Sequence, residues 1–548
     1  MNVGLGDIYR SGDNWRQWRT LGVLVAAVSL MVIDATVINV SLPTMMVEVP
    51  LTFNEVEWIS TIYALIFASF LVAAGRFGDR CGRRVALLLG LGLFAVGSVL
   101  GAVANFAVPL AVARAVQGFG ATLVLPSTLS TVNAAFRGRD RTVAFACWGS
   151  SIAGAAAIGP LLGGWLTTDF TWRWVFSINL PLIAMMAIAA RLWVPETFGE
   201  PAMGRFDIQG LLLSALGFGG TVFALIEGRT LGWWTPRASG WACSWPVSPV
   251  PLALGGGLFA LVMFVVVERM RRRKELEVLV DVSFFRSTSF SLGNFVVFIV
   301  SVGESGLLFI LPLFLQNIWS LSPIDAGWVL AAMALGALFS GVVAPIVAGA
   351  RSSVFVVRLG LVFEFIGAVS LGVALQPEPA LWRVILPLVA YGLGLGLASA
   401  QLTGMILVDV PPLKSGQGSA VQSTVRQVGT ALGTAVVATV LATSVSHISS
   451  NSLSDISIAY GLPSSATHSL ESSLSSTGGG IVGAVRNGNG ELSAIPSFVR
   501  HRIADSLAES FTSGARYPIW VATGFLLLGL IGTTFLQGMR DTSPGEDG

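Results

Sequence analysis

Apolar runs of about 20 residues, each bounded by charged or turn-forming residues, recur about 14 times along this 548-residue chain. In lipid every backbone N–H and C=O must be satisfied by the protein, so a chain patterned this way folds as a bundle of spanning helices. The runs lie near 20–41, 56–74, 85–104, 107–132, 143–166 and 173–194, then 208–227 and 250–268, then 288–314, 325–349, 354–375, 382–409, 418–444 and 516–537. They fall into blocks of six, two and six. Only 11% of residues are charged, against about 25% in a soluble domain, and the mean hydropathy is +0.76. The expected class is an all-α polytopic membrane protein.

Basic residues test the count, because loops that stay in the cytoplasm collect Arg and Lys. They cluster at Arg10, Arg16 and Arg19, at Arg76 to Arg84, at Arg137 to Arg141, at Arg191 and Arg205, at Arg269 to Lys274 with Arg286, at Arg351 and Arg358, at Lys414 and Arg426, and at Arg540. These are alternate loops, so both termini are expected in the cytoplasm. The intervening loops are short and acidic or neutral, as at Glu48, Glu55, Glu57 and Asp325. The organisation expected is a cytoplasmic start (1–19), a six-helix bundle (20–194), two extra helices with linkers (195–287), a second six-helix bundle (288–537) and a cytoplasmic tail (538–548). The second bundle includes a long external loop (446–517) whose Ser-rich first half and Gly-rich centre read as flexible, although IPSFVRHRIADSLAESF is amphipathic and suits a helix.

Several function classes drop out. A net charge of +2, evenly scattered, does not suit a nucleic-acid partner. The three cysteines, Cys81, Cys147 and Cys243, form no CxxC, so neither a disulfide framework nor a metal site is expected. The first residues lack the pattern of a secretory signal. Neither lysine, Lys274 or Lys414, is preceded by glycine, so there is no GxxxxGK[ST] phosphate loop and ATP is not the expected energy source. The near-absence of lysine points to a GC-rich bacterial genome. Two six-helix halves are what a rocking secondary transporter needs, with its sites between the halves near the midplane.

The first run, TLGVLVAAVSLMVIDATVINVS, carries one formal charge, Asp34. A carboxylate in a spanning helix costs at least about 2.5 kcal/mol on insertion scales, so it calls for a role and a partner. Arg114, in ARAVQGFGATLVLPS, lies about seven residues from the outer end of its helix, nearly the depth of Asp34 at about 1.5 Å per residue. It is the expected partner, in an ion pair that is either structural or opens when the acid is protonated. Glu304, beside Gly303 and Gly306, lies at comparable depth and is a second candidate for proton or cation binding; Glu364, mid-helix, is a third. Asn39, Gln117, Gln422 and Arg426 are polar candidates for lining a substrate cavity, and Asp325 and Asp409 fall at helix ends as caps or surface charges.

Three motifs supply a family. Gly75-Arg76-Phe77-Gly78-Asp79-Arg80-Cys81-Gly82-Arg83-Arg84 closely resembles the GxLaDrxGrk loop of the major facilitator superfamily. Its glycines permit a tight turn, and Asp79 can pair with arginine or cap a neighbouring helix as a conformational latch. The matching loop near Gly349 to Arg351 lacks the acid, which assigns any latch to the first half. Arg114-Ala-Val-Gln117-Gly resembles that superfamily's RxxQG pattern. Gly159-Pro160-Leu161-Leu162-Gly163-Gly164 resembles the GPxxGG antiporter motif of its exporters, where small residues allow close helix approach and Gly-Pro a pivot. Leu30 to Pro43, Trp172 to Pro181, Ile226-Glu227-Gly228 and Gly232-Trp233 resemble the 14-helix drug:proton antiporters, which include the quaternary-ammonium exporters.

That resemblance implies two six-helix bundles with two additional central helices, and Asp34 as the acid that exchanges a proton against substrate. The gating set is Gly75, Gly78, Asp79, Arg80, Gly82, Arg83, Gly159, Pro160, Gly163 and Gly164. The expected function is proton-coupled efflux of hydrophobic, cationic or neutral amphipathic compounds across a bacterial inner membrane, giving drug resistance, without enzymatic activity, cofactor or metal. Its partners would be a small-molecule substrate, protons and the bilayer, without nucleic acid, and the chain would act as a monomer. The alternatives are a dedicated exporter of one natural product or lipid, and a non-transporting sensor on the same scaffold.

Overall fold

A computed structural model describes residues 14–49, 51, 53–199, 207–228, 231–236, 246–378, 380–460, 469–471, 473–474, 479–488 and 496–538. Among these residues it is helical, with 14 helices long and apolar enough to cross a membrane. The first block comprises α1 (Asn14–Glu48), α2 (Phe53–Cys81), α3 (Arg83–Ala102), α4 (Ala107–Ala135), α5 (Gly138–Asp169) and a sixth span in two pieces, α6 (Trp174–Ser177) and α7 (Asn179–Trp193). The inserted pair is α8 (Ile208–Glu227) and α9 (Pro249–Arg273). The second block comprises α10 (Thr288–Asn317), α11 (Pro323–Ala350), α12 (Ser353–Ala374), α13 (Leu381–Ile406) and α14 (Ser415–Tyr460). After a short α15 (Ile481–Asn487), it closes with α16 (Ser497–Gly532). Cys243 lies outside the described residues.

Local chemistry sets several starts. Ser287, Ser322 and Ser352 accept from the backbone N–H of Phe290, Asp325 and Phe355, capping α10, α11 and α12, and Asp207 does so for α8. Pro249 and Pro323 occupy first-turn positions, where no N–H is needed. Asp325 and Asp409 accept from Ser322 and Ser287 and stay at helix ends.

The halves meet along α5 and α11, where small residues let the backbones close up. Gly164 faces Ile324, and a methyl on Gly327 would sit 2.9 Å from Leu161. The α8–α9 hairpin lies at the other seam between the halves, where α2 meets α14, with Gly219 of α8 against Ser69 of α2 and Val222 and Leu225 packed with Ala68 and Ala431. An apolar recess of about 390 Å³, lined by Phe70, Phe77, Phe119 and Leu211 among others, opens beside α2, α4 and the start of α8.

The stretch read as a flexible external loop is instead largely helical where it is described. α14 runs on to Tyr460 and α16 begins at Ser497, agreeing with the amphipathic segment but not with flexibility over 446–460. At 46 residues, α14 is about 69 Å long, more than twice the hydrocarbon thickness. Ser446, His447 and Ile448 carbonyls accept from Ser449, Ser450 and Ser452, so these serines turn inward on their own helix rather than breaking it. Leu453 of α14 packs with Leu474, Val482, Val485, Ile503 and Leu507 as an extension of the main hydrophobic core.

Gly82, between α2 and α3, has φ +107°, a conformation that side chains rarely adopt, and a methyl there would sit 2.7 Å from Glu196. Gly82→Ala should destabilise the folded protein by about 1–3 kcal/mol or more, read as a lowered Tm of the purified protein; an unchanged Tm would remove the strain argument.

Candidate functional site

Asp34 sits on α1 at 1% exposure and meets Arg114 of α4, itself 2% exposed. The Arg114 Nη1 to Asp34 Oδ2 distance is 2.7 Å. The other carboxylate oxygen accepts from Gln117 Nε2 at 3.1 Å and from Asn179 Nδ2 at 2.7 Å. Gln117 also accepts from Arg114 at 2.8 Å, and Ser98 of α3 accepts from both amides. Arg114 stacks 4.4 Å from the centroid of the Tyr63 ring on α2. Five elements of one half thus converge on one carboxylate. Such charge-assisted bonds, shielded from water, answer the buried acid and the buried guanidinium together.

The depth count brings Asp34 and Arg114 together as expected. Gln117 does not line a cavity: it is fully buried and anchors this network. Ser98, Asn179 and Tyr63 escaped notice as uncharged residues in apolar helices; Asn179, in Trp172 to Pro181, was the legible one. The Asn39 side chain lies outside the described residues.

The second half holds a separate centre. Glu304 on α10 lies 3.8 Å from Arg426 on α14 and accepts from Ser399 of α13 at 3.3 Å. Arg426, expected as a lining residue, is here an ion-pair partner, and Glu304, unpaired by any cation near in sequence, finds one 122 residues away. Gln422 is buried and donates to Thr403 at 3.4 Å. Glu364, on α12, is wholly enclosed.

The antiporter-type glycines press α5 onto the helix that carries Asp34. A methyl on Gly159 would collide with Thr36, and one on Gly163 would lie 2.9 Å from the Val37 carbonyl, both within a turn of Asp34. Gly164 faces the other half at Ile324. The Pro160 side chain lies outside the described residues, and α5 continues through it as unbroken helix.

At the face bearing the basic loops the halves are clamped together. Asp79 pairs with Arg83 at 2.8 Å and accepts from the backbone N–H groups of Gly416 and Gln417, both at 3.2 Å, at the start of α14. This joins a salt bridge to a helix N-terminus whose dipole favours the negative charge. The latch assigned to the first half is therefore shared: its acid comes from α2 and its receptor is a helix of the second. Gly75 permits the approach, since a methyl there would run into Ala420 and the Gly416 backbone. Gly78 packs on Ser127.

The linker after α9 adds a second clasp that the motifs did not reveal. Glu277 pairs with Arg76 at 3.1 Å and Arg80 at 2.9 Å in the first half. Four residues on, Asp281 pairs with Lys414 at 2.9 Å, and its N–H donates to Gln417 in the second. Burial opposes ionisation of Asp281, but hydrogen bonds from Ser283 and Lys414 outweigh it and hold the carboxyl below the usual carboxylate range.

Two helical halves, with buried ion pairs inside and a charged clamp across one mouth, define a polytopic membrane transporter. Residues 24–434 match the Major Facilitator Superfamily, and the chain belongs to it. It is 30% identical over 426 residues to the multidrug efflux pump LfrA of Mycolicibacterium smegmatis, covering 78% of this chain and 81% of that one. It is 29% identical over 431 residues to the probable actinorhodin transporter of Streptomyces coelicolor, covering 77% and 72%. Its fold resembles that of the human organic anion transporter MFSD10, with a TM-score of 0.60 and 12% identity over 94% of this chain and 99% of that one.

Asp79→Asn removes the charge that pairs with Arg83 and caps α14. Breaking a buried pair is worth about 3–5 kcal/mol, so nitroxide labels on the basic-face ends of α2 and α14 should show a new long-distance population. Glu277→Gln should give a smaller shift in the same direction. Unchanged distance distributions in both variants would mean the clamp does not hold this face shut.

Proposed function

We propose that this protein is a proton-driven exporter of hydrophobic, cationic or neutral amphipathic compounds in a bacterial inner membrane, with both termini and the clamped face in the cytoplasm. The observation that carries the reading is the enclosed Asp34–Arg114 pair at 2.7 Å. A proton on Asp34 removes the charge that holds Arg114, leaving the guanidinium with Gln117 and the Tyr63 face. The pair therefore has two arrangements that differ by one proton. Because Gly159 and Gly163 lock the following turn of α1 to α5, and α5 runs against α11, a shift of α1 is passed to the interface between the halves. Inward proton flow then drives the opposite movement of substrate, with no cofactor and no ATP.

Kinship with LfrA, a multidrug efflux pump by name, supports a broad substrate range; kinship with the probable actinorhodin transporter keeps a single-product exporter as the second reading. In proteoliposomes with an imposed pH gradient, efflux of a fluorescent lipophilic cation should fall by about tenfold or more in Asp34→Asn, a change of about 1.4 kcal/mol or more, while binding is retained. Unchanged efflux would move coupling away from Asp34. Failure of the wild type to move any of a panel of such cations, with transport of one natural product retained, would favour the dedicated exporter. Loss of all transport with ligand binding intact would favour a sensor.

A further inference from the structure

Among the described residues Glu364 is the most deeply enclosed acid of the second half, and its environment differs from that of Glu304. Its exposure is 0%, and neither carboxylate oxygen has a hydrogen-bond partner among the described residues. The side chain is trapped in the seam between α12 and α13, where backbones close up at glycine: a methyl on Gly394 would sit 2.9 Å from Glu364 Cγ. From α13 the hydroxyl of Tyr391, also fully enclosed and without a hydrogen-bond partner, shares these surroundings. The charged groups within electrostatic reach are Glu304 of α10 and Arg426 of α14. α12's own Arg358 lies at the basic-face end, bonded to Thr533, and the charged residues of α16 lie between Arg500 and Arg516, toward its other end.

The charges do not balance if both acids are ionised, because two carboxylates would share one guanidinium. Glu304 holds Arg426 at 3.8 Å with Ser399 bridging them. An ionised Glu364 would then be a buried anion without a donor, at a penalty of several kcal/mol. The neutral acid avoids that penalty.

We propose that Glu364 is a second proton-binding site, loaded in this clamped conformation and emptied when α12 and α13 part, so that each cycle carries two protons. On release the carboxyl O–H bond breaks, its electron pair stays on the carboxylate and the proton passes to water at the cytoplasmic mouth. Glu304 keeps Arg426 neutralised and so prevents the arginine from stripping the proton early. The inference rests on the proton-driven reading and extends it to the second half.

The full chain in proteoliposomes decides the matter, with ethidium as the transported cation and the coupling ratio taken from the membrane potential that just halts flux at each imposed pH gradient. Wild type should exchange about two protons per ethidium and Glu364→Gln about one, because glutamine copies the neutral acid's shape but cannot release a proton. A ratio of about two in Glu364→Gln would overturn the proposal. Wild type without gradient-driven flux would sink the proton-driven reading itself. An independent readout needs no transport: the infrared carboxylic C=O band of the purified wild type should lose intensity in Glu364→Gln, and an unchanged band would show that Glu364 was never the loaded acid.

Discussion

A charge that lipid and packed helices keep from water must be answered inside the protein, and this constraint organises the first half around Asp34. Its carboxylate is met by Arg114 on one oxygen and by two amides on the other, with donors from α4 and α7. Desolvating two ions is expensive, and the pair persists because its geometry is close and its lone pairs are largely filled. Each partner fixes the depth and rotation of the helix bearing it. The pair therefore sets the register of α1 against α4 and α7.

The second half answers the same constraint incompletely. Glu304 has Arg426, but at 3.8 Å and with the guanidinium partly open to solvent. Glu364 has no such partner, and its enclosure makes neutrality the cheaper state. The two halves thus differ in their electrostatics: one stores a tight pair, the other a loose pair beside an isolated acid.

The clamp at the basic face ties the two halves to each other. Asp79 spans from α2 to the N-terminus of α14, and the linker acids Glu277 and Asp281 each grip one half. The inserted α8–α9 pair is thereby more than a spacer, because the segment that leads out of it is tied to both bundles. Glycines at Gly75, Gly159 and Gly163 let this framework close to backbone distance.

Helix number, the two-plus-twelve organisation and the partnership of Asp34 with Arg114 were readable from the chain alone. Bilayer thickness converts apolar length into spans, and a rise of about 1.5 Å per residue converts position into depth. The motif glycines and Asp79 were readable for a similar reason, since tight turns and helix caps are local demands. What depth cannot supply is azimuth. Whether Glu304 faced Arg426, whether Glu364 faced anything, and whether Gln117 turned to a cavity or to Asp34 depended on how helices distant in sequence are rotated about their axes. The same limit hid Asn179, the reach of Asp79 into the second half and the clasp at Glu277 and Asp281, and it let a Ser-rich stretch look flexible when packing against α16 keeps it helical. Local pattern determined which groups lie at which level of the membrane; only the tertiary structure decided which of them meet.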